Sequence, residues 1–113
     1  MIVSIIGLGY IGLPTAAVLA SKDIKVVGVD VSQYVVDTIN QGKIHIIEPG
    51  LDALVREAVQ KNHLKAVINP EKADVFMIAV PTPFKGNHEP DLSYIGLAAK
   101  AIAPVLEKGN LVI

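Results

Sequence analysis

The chain has 113 residues, 51% of them hydrophobic and 19% charged, with a formal net charge of -1. That length allows one domain at most around a single core, and the near-neutral charge offers no broad field for nucleic acid or an anionic membrane. With no cysteine in the chain, a disulfide scaffold, a thiolate metal site and a cysteine nucleophile are all excluded from it.

The mean hydropathy of +0.49 fits a parallel α/β sheet, whose strands are covered on both faces and read as solid apolar runs. The apolar start of the chain does not read as an export signal, because the first basic residue is Lys22. Gly7, Gly9, Gly12 and Pro14 also interrupt it before it could cross a bilayer as an ordinary helix. It reads as a buried strand followed by a helix, in a cytoplasmic protein.

Ile2–Ile6 is a short β-branched run ending at Gly7, the mark of a buried strand. Residues 10–21 predict a helix, with Pro14 in the first turn where it is tolerated. Residues 24–29 form a second strand closing on Asp30, and Ser32 is positioned to cap a helix through Ile39, with Gly42 after its end. Pro49 and Gly50 interrupt the chain before Leu51–Gln60 resumes with helical spacing. Residues 64–68 and 75–80 predict a third and a fourth strand, the latter stopping at Pro81-Thr82-Pro83. A polar loop over residues 84–90 leads to a helix capped by Asp91 or Ser93 and running to about Leu106. Residues 111–113 open a fifth strand.

The order is therefore β-α-β-α-α-β-β-α-β, a Rossmann-like, doubly wound parallel sheet of the α/β class with right-handed crossovers. The sequence ends inside the fifth strand, so the expectation is a truncated domain of about five strands. An exposed edge there is a place for a second copy to pair.

Gly7-Leu8-Gly9-Tyr10-Ile11-Gly12 lies directly between the first strand and the first helix. Three glycines at this spacing permit a tight turn, a close backbone approach to a diphosphate and tight packing of helix on strand. The N–H groups of Tyr10, Ile11 and Gly12 fall at a helix N-terminus, whose dipole favours an anion. The alternative is a purely structural turn. Asp30 follows Gly7 by 23 residues, where a carboxylate accepts hydrogen bonds from the ribose hydroxyls of an adenosine. That carboxylate repels a 2′-phosphate, so NAD is favoured over NADP. Asp30 could otherwise serve as a helix N-cap, and the two roles can coexist. Pro81 and Thr82 end the fourth strand, where open α/β sheets place ligands, and Thr82 can offer its hydroxyl to the cofactor. A rigid structural turn is the other use of these prolines.

His45, His63 and His88 lie in no ligand spacing and read as solvated or core-satisfied; no metal site and no catalytic residue is expected in this chain. Glu48 before Pro49 reads as a carboxylate complementing a helix dipole, or as lining a substrate cleft. Lys85, His88, Glu89 and Asp91 read as a solvated loop.

Three stretches together carry a family resemblance: Gly-Leu-Gly-Tyr-Ile-Gly-Leu-Pro-Thr-Ala (7–16), Glu-Pro-Gly-Leu (48–51) and Val-Pro-Thr-Pro (80–83). With them the whole chain resembles the UDP-glucose/GDP-mannose dehydrogenase family. Gly-Lys-Ile-His-Ile-Ile-Glu-Pro (42–49) and Ala-Val-Pro-Thr-Pro-Phe-Lys-Gly-Asn-His-Glu-Pro-Asp (79–91) are most similar to its UDP-N-acetyl-D-mannosamine 6-dehydrogenases. The resemblance implies an NAD-dependent, four-electron oxidation of the sugar C6 alcohol to the uronic acid. A cysteine-bound thiohemiacetal and a thioester lie on that path, two NAD are consumed, and the product feeds bacterial surface polysaccharides. By position, Tyr10 and Ile11 match the family's diphosphate contacts, Asp30 its ribose carboxylate and Thr82 a threonine near the nicotinamide.

Two departures qualify it. Val35 stands where UDP-glucose enzymes of the family often carry a basic residue, which weakens UDP-glucose as the substrate. The family's catalytic cysteine, active-site lysine and sugar-nucleotide domain fall after Ile113. Residues 1–113 therefore match the N-terminal part of an NAD-binding domain, inactive alone and a homo-oligomer when full length. Another nucleotide sugar (UDP-glucose, UDP-N-acetylglucosamine or GDP-mannose) and a non-catalytic nucleotide-binding module remain the alternatives.

Overall fold

A computed structural model describes residues 1–81 and 92–113. Five parallel strands form one sheet: β1 (Ile2–Ile6), β2 (Lys25–Val29), β3 (Leu64–Val67), β4 (Val75–Ile78) and β5 (Leu111–Val112). Their spatial order is β3-β2-β1-β4-β5, so the chain winds outward from β1 in both directions. The helices are α1 (Gly12–Ser21), α2 (Gln33–Asn40), α3 (Leu51–Gln60) and α4 (Ser93–Ile102). The element order agrees with the sequence expectation, and α3 has the expected limits.

Register assigns the apolar residues to two faces. Val3 pairs with Val26 and Val75, and Val26 with Leu64, so these four point the same way. Against them pack Leu13, Ala16 and Ala17 of α1, Val36 and Ile39 of α2, and Val55 and Ala58 of α3, all buried. The alanines let α1 lie close on the sheet. On the opposite face Ile6, Val29 and Phe76 meet Ala98 and Ile102 of α4. Phe76 is fully buried there, and burial of such a ring stabilises by about 1.5–3 kcal/mol.

The local departures have simple causes. α1 starts at Gly12 rather than at Tyr10, because residues 10 and 11 are still inside the turn. Ser32 caps α2 as expected, its Oγ accepting from the Val35 N–H at 3.3 Å; Asp30 is not the cap. α4 stops at Ile102 and continues only as a 3-10 turn, Ala103–Val105. Pro104 lacks the N–H that would reach back to Lys100, which ends the α-helical ladder short of Leu106. Asp91 lies outside the described residues, and Ser93 is the first residue of α4 with Leu92 before it. Asp52, not Glu48, is the acid in the first turn of α3.

The two sheet edges are treated differently. At β3, the Asn40 amide donates to the Ala66 carbonyl at 2.9 Å, and its Oδ1 accepts the Ala66 N–H at 2.8 Å. One side chain thus occupies the edge in place of a further strand. At β5, Leu111 and Val112 are exposed. Asn40→Ala is expected to remove both hydrogen bonds and lower unfolding stability by about 1–3 kcal/mol. A urea denaturation series checks this, and an unchanged midpoint would show that the edge needs no partner.

Candidate functional site

The turn after β1 is built by glycines that let backbone lie on backbone. Gly7 donates its N–H to the Val29 carbonyl at 2.8 Å and has φ +99, a left-handed conformation that suits glycine. A Cβ on Gly7 would lie 2.7 Å from the Ala79 carbonyl oxygen, and a Cβ on Gly12 would overlap the Gly7 carbonyl. The first turn of α1 is therefore pressed against the end of β1. Leu8, fully buried, descends over Gly28, where a Cβ would lie 2.7 Å from its Cδ2. At Gly9 the situation reverses. Among the described residues, its two chain neighbours aside, no atom stands within 4 Å of where its Cβ would be.

That open space faces a set of free donors. The Leu13 N–H returns to the Gly9 carbonyl at 3.1 Å and the Thr15 N–H to the Ile11 carbonyl at 3.2 Å. The N–H groups of Gly9, Tyr10, Ile11 and Gly12 have no acceptor among the described residues. They stand at the N-terminus of a ten-residue helix, so the macrodipole and the unpaired donors both favour an anion there.

Asp30 follows the last residue of β2 and closes the cradle from the side. Its Oδ2 accepts the Leu8 N–H at 3.1 Å and its Oδ1 the Ser32 N–H at 2.9 Å. A carboxylate offers about four lone-pair sites on its two oxygens, so accepting capacity is left for the hydroxyls of a sugar. The carboxylate is aimed toward the glycine turn.

These groups border a cleft of about 900 Å³ over the carboxyl ends of the strands. It opens at β1, where the strand order reverses between β2 and β4, the place where open α/β sheets take ligands. The structure brings Gly7, Gly9, Tyr10, Ile11, Asp30 and Pro81 together in its lining. Gly12 is buried beneath the turn and contributes packing and an amide rather than a wall. Thr82 lies outside the described residues, as do Lys85, His88, Glu89 and Asp91. Tyr10, Ile11 and Val31 are 65%, 71% and 93% exposed, a large apolar surface for a cleft rim to leave uncovered.

Sequence reasoning missed part of this wall. Val31 and the 68–70 connector border one end, and Tyr94, Leu97, Ala98 and Ala101 of α4 border the other. The signal was present in the 94-97-98-101 spacing, an apolar stripe of helical period. The lone glycine inside β2, Gly28, was a second signal, marking the close approach of Leu8.

His45 and His63 are half-buried, and His88 lies outside the described residues. The Nδ1 atoms of His45 and His63 are buried without a hydrogen-bond partner, and His63 Nδ1 is 3.7 Å from Asp23 Oδ1. Neither histidine borders the cleft, nor does Glu48. Among the described residues no group of three or more acidic or histidine side chains could hold a metal ion.

The cleft's chemistry agrees with what the chain is similar to. The description "UDP-glucose/GDP-mannose dehydrogenase family, NAD binding domain" matches residues 1–113. The chain belongs to that family. It is 68% identical over 112 residues to the UDP-N-acetyl-D-mannosamine dehydrogenase of Campylobacter jejuni, covering 98% of this chain and 28% of that protein. It is 64% identical to the NDP-N-acetyl-D-galactosaminuronic acid dehydrogenase of Ralstonia nicotianae, covering 98% of this chain and 26% of that protein. Among solved structures, the UDP-N-acetyl-mannosamine dehydrogenase Cap5O of Staphylococcus aureus superposes with a TM-score of 0.96 at 40% identity. That match covers 99% of this chain and 28% of Cap5O. GDP-mannose dehydrogenase of Pseudomonas aeruginosa, in a ternary complex, gives 0.93 at 38% identity, covering 99% and 27%. The chain thus spans about a quarter of the length of the family members it matches.

Gly9 separates binding from folding more cleanly than the other glycines. Gly9→Ala places a methyl group in open space, so stability is expected to change by no more than the ordinary glycine-to-alanine effect of about 1 kcal/mol. If the turn holds a diphosphate, the same methyl group obstructs it, and NAD affinity is then expected to fall by an order of magnitude or more. Thermal unfolding and an NAD titration on the one variant check both parts. Unchanged affinity would remove the diphosphate from this turn.

Proposed function

We propose that this chain is the cofactor-holding segment of a UDP-N-acetyl-D-mannosamine 6-dehydrogenase. In this reading residues 1–113 are the N-terminal part of its NAD-binding domain, and the catalytic and sugar-nucleotide-binding parts lie elsewhere in the protein. The carrying observation is the space over Gly9, open among the described residues, with four amides that have no acceptor among those residues and the Asp30 carboxylate beside them. Those residues fit a dinucleotide. The Gly9–Gly12 amides hold its diphosphate, Asp30 accepts from the adenosine ribose, Pro81 lines the same cleft, and the family resemblance assigns Thr82 to the nicotinamide end. When bound, NAD supplies the hydride acceptor for oxidation of an alcohol. The chain's own share is to bind and orient it, with Asp30 set against a 2′-phosphate.

For the substrate, the relatives supply the support. Similarity at 68% to an enzyme named for UDP-N-acetyl-D-mannosamine supports that sugar. The 64% similarity to an N-acetyl-D-galactosaminuronic acid dehydrogenase favours, as the second reading, another N-acetylhexosamine nucleotide. The reaction belongs to the cytoplasm, and its uronic acid product to the synthesis of surface polysaccharide. No helix among the described residues is long and apolar enough to cross a membrane.

The test is NADH formation by the full-length protein with UDP-N-acetylmannosamine, UDP-N-acetylgalactosamine, UDP-N-acetylglucosamine, UDP-glucose and GDP-mannose. The N-acetylmannosamine nucleotide is expected to give the highest kcat/KM, with two NADH per sugar. Fastest turnover of UDP-glucose or GDP-mannose would overturn the substrate. For Asp30→Asn, which keeps an oxygen to accept the Leu8 N–H, NAD affinity is expected to fall about tenfold or more, as for loss of a charge-assisted hydrogen bond. NADP binding is expected to change far less, so the preference for NAD narrows. A variant with unaltered preference would remove Asp30 from the ribose.

A further inference from the structure

At the end of the sheet opposite the cleft, the corner between α3 and β3 is tied to the corner between α1 and β2. The Val26 N–H donates to the His63 carbonyl at 2.8 Å, and the His63 N–H to the Ala58 carbonyl at 2.9 Å. Both corners turn sharply, with Asp23 and Asn62 at φ of 63° and 59°, a left-handed conformation uncommon outside glycine. Between them lies a cavity of about 70 Å³ whose ionisable lining is Asp23, Glu57, Lys61 and His63.

The backbone of His63 is satisfied and its side chain is not. The Nδ1 atom is buried without a hydrogen-bond partner among the described residues, and Asp23 Oδ1 stands 3.7 Å from it. That separation is too long for a hydrogen bond from a neutral ring and short enough for an ion pair with a charged one. The surrounding charge favours the second state. Lys61, the cation in the lining, is paired with Glu57 at 2.8 Å. Lys22 and Lys25 flank Asp23 in sequence but do not line the cavity, and Lys65 of β3 pairs with Glu71. Two carboxylates and one ammonium give the lining a net charge of -1, which a proton on His63 cancels.

We infer that His63 and Asp23 form a pH-sensitive clasp, closed when the imidazole takes up a proton, which fastens the α3–β3 corner to the α1–β2 corner. The ion pair exists only in the folded chain. Its contribution to stability is therefore present in acid and lost as pH rises through the ordinary imidazole range, around 6.5. Asp23 is 84% exposed, so solvent keeps the gain small. Neither residue borders the cleft, and the clasp is independent of what the cleft holds.

The test is urea unfolding of the full chain at about pH 5.5 and about pH 8, where imidazole is mostly charged and mostly neutral. Wild type, Asp23→Asn, His63→Gln and the double variant complete a cycle that isolates the coupling of the two side chains. Asparagine tolerates the left-handed turn at position 23, and glutamine keeps a polar group at position 63. At the lower pH the coupling is expected to favour the folded state about twofold to fivefold, the range of an exposed ion pair, and at the higher pH to vanish. Should the double variant not fold, wild type against Asp23→Asn decides, their ratio of folding constants falling by the same factor between the two pH values. Equal coupling at both pH values, or none at either, overturns the inference. So does stronger coupling at the higher pH, because burial of the ring would then outweigh its pairing with Asp23.

Discussion

The site depends on one contact, the approach of Gly12 to the carbonyl oxygen of Gly7. Neither residue carries a Cβ, so the first turn of α1 can be pressed onto the end of β1. The consequences are all local and follow in sequence. The chain must turn within five residues, which drives Leu8 into the core over Gly28 and lifts residues 9–11 clear of it. The helix then begins with amides that have no acceptor among the described residues, and none of those residues except its chain neighbours closes over Gly9. A side chain at position 12 would collide with backbone, which cannot be turned aside as a flexible side chain can. Binding capacity is here a result of packing.

Sheet topology supplies the rest. All the paired strands run parallel, and helices cover both faces over β1, so a ligand finds room only beyond the strand ends. The reversal of winding at β1 separates the crossovers on its two sides and leaves a gap above it. Asp30 joins the two halves of that arrangement. Its oxygens tie the Leu8 amide of the turn to the Ser32 amide at the start of α2. The carboxylate is thereby held beside the cradle, so that in the proposed function less side-chain freedom is lost when a sugar binds. One residue contributes to the shape of the turn and to what the turn can recognise.

Much of this was legible in the residues because the signals were local. A β-branched run, three glycines at fixed spacing and an acid at the end of the next strand each report on their own surroundings. Ser32 was readable as the cap of α2 for the same reason. The misreadings came where distant contacts decide. Tyr10 and Ile11 are adequate helix formers by propensity, yet they stay in the turn because the Gly7–Gly12 contact sets where α1 can begin. Residues 94, 97 and 101 showed helical period, but only the placement of α4 beside β4 reveals that the stripe divides between core and cleft. The approach of His63 Nδ1 to Asp23 Oδ1 joins residues forty positions apart, which no spacing of histidines discloses.

The central claim is that the backbone amides of Gly9, Tyr10, Ile11 and Gly12 hold a diphosphate. Nuclear magnetic resonance of the 15N-labelled chain observes those four N–H groups directly during an NAD titration. Large shifts of all four resonances at saturation, with slowed hydrogen exchange as they gain an acceptor, are the expected result. Saturation by NAD with these four resonances unmoved and the perturbations elsewhere would contradict the account.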